Sequence, residues 1–229
     1  MEKIKHIAII MDGNGRYAKK LGEKRTFGHL QGTDNVRNIA IAANDEGVEV
    51  LTLYAFSTEN WKRPQEEVSY LMKLPAVFID KFLGELMEKN IRIQMIGQTD
   101  LLPADTLKVL NYAIEKTSIN TGMILSFALN YGSRDELVCA MRTINDLGIE
   151  SEQIDEEMIT QHLMTKDYPE VDLMIRTSGE CRISNFLLWQ LAYSELMFVD
   201  VPWPLFTPYE FKACVTQFYQ RDRRFGGLK

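Results

Sequence analysis

Short apolar runs alternate along this chain with longer stretches of helical periodicity, and few folds accommodate that pattern. The runs are Ile7–Met11, Val50–Phe56, Ile91–Ile96, Met123–Leu129 and Leu173–Arg176, with a sixth at Met197–Val199. Each is too short for a helix, and Ile7–Met11 is apolar at every position rather than at every second one, as expected of a strand covered on both faces. Between them, helices are expected at Thr33–Glu46 (closed by Gly47 as a C-cap), Glu66–Lys89, Ala104–Thr117, Arg134–Asn145, Asp155–Met164 and Pro208–Gln220. Pro75 falls inside the second of these, where it removes one backbone donor and must kink or split the helix. Strand alternating with helix gives an α/β fold, a mostly parallel six-stranded sheet flanked by helices. With 229 residues, no repeat and no low-complexity linker, residues 1–229 read as one domain.

Composition removes several functional classes. At 45% hydrophobic and 25% charged residues, disorder does not describe the chain. A net charge of -6 argues against a nucleic-acid partner. Cys139, Cys181 and Cys214 are far apart and odd in number, without zinc spacing or a disulfide framework, so a reducing, cytoplasmic setting is expected. Met1–His6 runs into a strand without the apolar region of a signal peptide. No apolar run approaches the ~18 residues of a spanning helix; contact with a membrane surface stays open. One stretch reverses the overall charge: Arg16, Lys19, Lys20, Lys24 and Arg25 face only Asp12 and Glu23. It is either a solvated helix face or a site for a compact anion.

In a parallel sheet, ligands bind beyond the carboxyl ends of the strands. Three polar segments fall there: Asp12–Arg16, Ser57–Arg63 and Arg176–Ser184. In the first, Gly13-x-Gly15-x-x-Ala18 loosely satisfies the dinucleotide fingerprint, but the second strand ends near Tyr54 without the acid that fingerprint requires. Asp12 would also repel a diphosphate unless a cation intervenes. With Mg²⁺ between them, the carboxylate holds the metal, the metal holds the diphosphate, and backbone N–H groups with Arg16 bind the remaining oxygens. The second segment offers hydroxyls, an amide, an aromatic ring and a guanidinium, a polar end beside an apolar wall. In the third, Arg176 and Arg182 flank Thr177-Ser178-Gly179 and suit bidentate phosphate binding.

These segments carry a family resemblance. Ile9-Ile10-Met11-Asp12-Gly13-Asn14-Gly15-Arg16 resembles the opening motif of the cis-prenyltransferases (undecaprenyl diphosphate synthases). Phe27-Gly28-His29, Tyr54-Ala55-Phe56-Ser57-Thr58-Glu59-Asn60-Trp61 with Arg63-Pro64, and Asn130-Tyr131-Gly132 resemble the blocks that follow. Ile175–Glu180, Arg182–Gln190, Ala192–Leu196 and Arg223-Arg224-Phe225-Gly226-Gly227 complete the series in order over nearly the whole chain. Tyr17, where the family usually has Trp, Ser133, Cys181 and Pro75 depart from the pattern.

The resemblance implies a homodimeric parallel-sheet enzyme with an apolar tunnel that elongates an allylic diphosphate, farnesyl diphosphate expected, with isopentenyl diphosphate. The implied product is a Z-polyprenyl diphosphate such as undecaprenyl diphosphate. It implies Asp12 as catalytic carboxylate and Mg²⁺ ligand, with Glu195 completing the metal site from the partner subunit or near the interface. Gly13, Asn14, Gly15, Arg16, Tyr17, Arg25 and His29 are implied at the allylic diphosphate. Ser57, Thr58, Glu59, Trp61 and Arg63 are implied beside the allylic substrate. Arg176, Arg182, Ile183 and Ser184 are implied at isopentenyl diphosphate. Asn60 matches the position assigned as proton acceptor; an orienting role, with a diphosphate oxygen taking the proton, is chemically easier for a neutral amide. Phe78, Phe82, Leu86 and the strand Ile91–Ile96 are the expected tunnel wall. A short-chain or branched-product synthase and a non-catalytic subunit of a heteromeric synthase are the alternatives.

Overall fold

The apolar runs form six strands, β1 (His6–Ile10), β2 (Val50–Ser57), β3 (Arg92–Ile96), β4 (Ile124–Tyr131), β5 (Leu173–Arg176) and β6 (Glu195–Phe198), in the order β3-β4-β2-β1-β5-β6. The computed structural model describes residues 3–221. Every neighbouring pair is parallel, so the sheet is more uniform than the mostly parallel one expected. Side chains alternate between its faces. Ile7, Ile9, Leu51, Leu53 and Leu125 point into a core shared with α2 (Arg25–Asp45), α4 (Leu74–Glu88), α5 (Ala104–Thr117) and α8 (Pro208–Tyr219). Ala8, Ile10, Tyr54 and Met174 face the other way, against Phe186, Leu187 and Leu191.

Three helical boundaries differ from the sequence reading. The Gly-rich turn shrinks to Gly13, whose φ of 96° suits glycine, and α1 (Asn14–Lys20) starts at once. A Cβ on Gly13 would also lie 2.6 Å from the Ser178 hydroxyl. The helix expected from Thr33 begins at Arg25. Gly28 and Gly32 lower its intrinsic propensity, but a Cβ at Gly28 would come within 2.0 Å of the Asn14 carbonyl oxygen, so glycine lets α1 and α2 touch. Pro75 splits the third stretch: α3 (Gln65–Leu71) ends and α4 takes Pro75 into its first turn, where a missing N–H costs little. The buried Thr106 hydroxyl of α5 donates to the Met72 carbonyl at 2.8 Å, satisfying one group exposed by the break. The remaining helices, α6 (Ser133–Asp146) and α7 (Glu156–Gln161), fall within their expected stretches to within a residue.

Among the described residues no helix is long and apolar enough to cross a membrane. Chain order reverses at β1, between β2 and β5, and the three polar segments follow the carboxyl ends of these strands. Ile10 is level with both Tyr54 and Arg176. The block Arg223–Gly227 lies outside the described residues.

Candidate active site

A cavity of about 700 Å³ opens at this reversal point and runs between the sheet and the helices α2, α4 and α5. One end is polar. Arg63, Arg134, Arg176 and Arg182 line it against the carboxylates Asp12 and Glu59, together with Asn14, His29, Ser57, Asn60, Ser184 and Asn185. Four guanidiniums against two carboxylates favour an anion. The other end is apolar, formed by Val36, Phe56, Leu71, Leu74, Pro75, Phe78, Ile79, Leu110, Phe127 and Leu129. One continuous space therefore presents phosphate-binding chemistry at one end and a dry hydrocarbon wall at the other.

Asp12 is fixed from several sides. Its backbone N–H donates to Thr177 Oγ1 at 2.9 Å, and its carbonyl accepts from Thr177 Oγ1 at 2.8 Å and from the Trp203 N–H at 2.9 Å. The carboxylate accepts from the Gly13 N–H at 2.6 Å and lies 2.9 Å from Arg176 and 3.0 Å from Arg16. Burial pushes its pKa up, but the Arg176 and Gly13 hydrogen bonds and the charges of Arg16 and Arg176 outweigh that and hold it below the ordinary value. Asp12 is thus an ionised oxygen donor at the cavity's polar end. Among the described residues no three His, Cys, Asp or Glu side chains cluster as a metal cage. A cation here would take one protein carboxylate and complete its shell with water and substrate oxygens, the habit of Mg²⁺.

Arg176 is 5% exposed at the end of β5. It donates to Asp12, to Ser184 Oγ at 2.8 Å and to the Arg182 carbonyl, while its Nε has no partner among the described residues. Glu180 bridges Arg182 and Arg16 across the mouth. On the opposite side Glu67 gathers two guanidiniums and an imidazole: Arg25 at 3.0 Å, Arg63 at 3.0 Å and His29 Nε2 at 3.4 Å. His29 Nε2 has no hydrogen-bond partner among the described residues. Burial lowers the His29 pKa, Glu67 opposes this, and Arg63 and Arg25 add to it, so the ring is held neutral around pH 7. Asn60 Oδ1 accepts the Ser57 N–H at 3.2 Å and closes the turn after β2.

Ten of the expected site residues line the cavity: Asp12, Asn14, His29, Ser57, Glu59, Asn60, Arg63, Arg176, Arg182 and Ser184. Gly13, Gly15, Arg16, Tyr17 and Arg25 stand behind it on the α1–α2 side; a Cβ on Gly15 would meet the Arg25 guanidinium at 2.6 Å. Thr58 and Ile183 also stand off the lining. Trp61 is built into the wall, donating to Asn130 Oδ1 at 2.7 Å and packing edge-on against Phe56. Glu195 is far from Asp12 within one chain. It opens β6, level with Leu173 at the opposite end of the sheet, and pairs with Arg221. A metal shared by the two carboxylates would need Glu195 from another copy. Of the expected wall, Phe78 faces the cavity, whereas Leu86 and Ile93 belong to the solid core and Phe82, partly buried, packs against it, and β4 rather than β3 supplies the sheet side. Arg134, Asn185, Glu67 and Trp203 were not singled out. Arg134 follows β4 at the same carboxyl edge, which is the signal that marks it.

Comparison with known proteins agrees with this geometry. The family model described as "Putative undecaprenyl diphosphate synthase" matches residues 10–226. An isoprenyl transferase of Bacillus cereus is 54% identical over 227 residues, 97% of this chain and 88% of the relative. One of Staphylococcus haemolyticus is 52% identical over 227 residues, 97% of this chain and 89% of the relative. Among solved structures, lavandulyl diphosphate synthase from Lavandula x intermedia, in complex with dimethylallyl diphosphate, superposes with a TM-score of 0.95 at 33% identity, covering 98% of this chain and 99% of that one. A "probable undecaprenyl diphosphate synthase" from Campylobacter jejuni does so with a TM-score of 0.83 at 33% identity, covering 99% and 100%.

Proposed function

Because the chain belongs to the undecaprenyl diphosphate synthase family and is a prenyltransferase, we propose that it elongates an allylic diphosphate, farnesyl diphosphate as primer, with isopentenyl diphosphate. The product is a Z-polyprenyl diphosphate such as undecaprenyl diphosphate. The observation that carries this reading is the amphiphilic cavity: four arginines and Asp12 at one end, an apolar tunnel at the other. Two diphosphate heads suit the cationic end. A growing hydrocarbon suits the tunnel, where each added five-carbon unit gains several kcal/mol of burial at about 0.8 kcal/mol per CH₂.

The chemistry is electrophilic alkylation. The allylic carbon–oxygen bond breaks and diphosphate leaves with its electron pair. The terminal alkene carbon of isopentenyl diphosphate forms the new carbon–carbon bond, and a proton is lost to set a Z double bond. Arg176 and Arg182, with Ser184, hold isopentenyl diphosphate. Asn14, His29 and Arg63 hold the allylic diphosphate, with Arg25 reaching it past Glu67. Preorganised guanidiniums stabilise the charge that develops on the departing diphosphate. Asn60, whose carbonyl oxygen is already engaged by Ser57, orients rather than deprotonates, and the proton passes to a diphosphate oxygen. Asp12 would hold Mg²⁺, which when bound supplies Lewis-acid neutralisation of the diphosphate. In a homodimer the partner's carboxylate at position 195 would complete that site. The chain acts as one catalytic domain in the cytoplasm, with peripheral membrane contact for product release.

The likeness to lavandulyl diphosphate synthase favours one second reading, a short-chain or branched-product enzyme. The test is diphosphate release measured with farnesyl diphosphate alone, isopentenyl diphosphate alone, and both, with and without EDTA. Release that needs both substrates and stops with EDTA is expected. No release with both present, in Mg²⁺, contradicts the proposal.

A further inference from the structure

The tunnel is too small for the chain it is proposed to make. At the ~0.75 packing density of protein interiors and organic solids, a five-carbon unit fills roughly 110 Å³. The whole cavity of about 700 Å³, polar end included, therefore holds at most about six units. The apolar end cannot widen into the sheet without breaking ladder hydrogen bonds between β2 and β4. It can widen between helices.

There a second feature adjoins it. A surface groove of about 640 Å³ runs between α4 and α5, walled by Ala76, Val77, Ile79, Leu83, Val109 and Tyr112, with Asp80 the one charged side chain among them. Val77 and Tyr112 are 39% and 50% exposed, large apolar side chains in water. Ile79 borders both spaces and is itself 5% exposed, so the two linings meet at this side chain. Rotating one isoleucine between staggered rotamers is a small local change. Tunnel and groove together accommodate roughly a dozen units by the same packing measure.

We propose that Ile79 is a side-chain gate between the tunnel and the α4–α5 groove, and that the distal end of the growing prenyl chain passes it and lies in the groove once the tunnel is full. The occupant is the product's own hydrocarbon tail. Val77, Val109 and Tyr112 then determine specificity although they lie outside the tunnel. The inference rests on the prenyl-elongation reading above, and its test separates the two.

The decisive variant is Val77→Glu. It is partly exposed and does not line the tunnel, so folding and the first condensations are expected unchanged. Products are resolved by chain length under excess isopentenyl diphosphate, beside Ile79→Trp, which narrows the gate. For Val77→Glu, the initial rate should stay within about twofold while the ladder stops short, at no more than the six or so units the cavity can hold. Ile79→Trp should stop at the same length. An unchanged Val77→Glu ladder overturns the proposal whatever Ile79→Trp does, because Ile79 is then only tunnel wall. A parent enzyme whose longest product fits the tunnel also overturns it, while leaving prenyl transfer intact. No condensation by the parent would instead defeat the reading it rests on.

Discussion

Asp12→Asn separates holding a metal from holding a substrate, because it removes one charge and almost no volume. In the protein the Asp12 carboxylate lies 2.9 Å from Arg176 and 3.0 Å from Arg16. A unit-charge pair at such distances interacts by about 5–6 kcal/mol at an effective dielectric near 20. Neutralising Asp12 removes the carboxylate's charge from both guanidiniums, and with it a charge that repels diphosphate. Farnesyl diphosphate should therefore bind Asp12→Asn in EDTA several-fold more tightly than it binds the parent. Turnover at saturating Mg²⁺ should fall about 10²–10³-fold, the range seen when one preorganised electrostatic contact is lost. Folding should suffer less. Arg176 loses its anionic partner, but the asparagine still accepts a hydrogen bond and Asp12 is partly exposed, so about 1–2 kcal/mol is expected. For a chain of 229 residues each kcal/mol lowers Tm by roughly 2–4 °C. Calorimetric titration in EDTA, steady-state kinetics and a thermal melt measure the three quantities. Turnover within tenfold of the parent, or weaker metal-free binding, would refute the assignment.

Arg182→Ala should mainly raise KM for isopentenyl diphosphate and Arg25→Ala that for the allylic substrate, each about tenfold or more for a lost charge-assisted contact; equal effects on both substrates would show the division is wrong. Thr106→Val leaves the Met72 carbonyl at the α3–α4 break without its donor. A loss of about 1–2 kcal/mol in chemical denaturation is expected, and no change would mean the break relaxes freely. The buried His6 ring bonds the Pro169 carbonyl and the Thr52 hydroxyl, each at 2.8 Å. Burial, only partly opposed by Pro169 and Asp172, lowers its pKa from 6.5 to about 4. The unfolded chain then binds a proton the folded one refuses, so stability is full above pH 6.5 and falls as pH drops toward 4. Between pH 7 and pH 5 the parent should lose about 2 kcal/mol more than His6→Gln, and equal losses would show that His6 is not the group responsible.

The strands were legible because burial on both faces leaves few polar positions in them, and the carboxyl-edge argument brought Asp12, Ser57 and Arg176 to one site. Helix starts were less legible. Gly28 and Gly32 look like breakers until the Asn14 backbone is seen against them, and local propensity carries no trace of that contact. Glu67 escaped notice because an acid on an amphipathic helix looks like a solvated face; only the fold adds Arg25 and His29 to its local neighbour Arg63. The tunnel wall was the weakest expectation. Phe78, Phe82 and Leu86 share one helical stripe, and sequence cannot distinguish a residue that borders empty space from one that fills it. The family motifs added residue roles that periodicity alone does not provide.

Product mass tests prenyl elongation most directly. Incubated with farnesyl diphosphate, isotopically labelled isopentenyl diphosphate and Mg²⁺, the protein should yield a ladder of diphosphates spaced by one labelled five-carbon unit, with Z geometry at each new double bond. Unextended farnesyl diphosphate, or E geometry in the new units, would contradict the assignment.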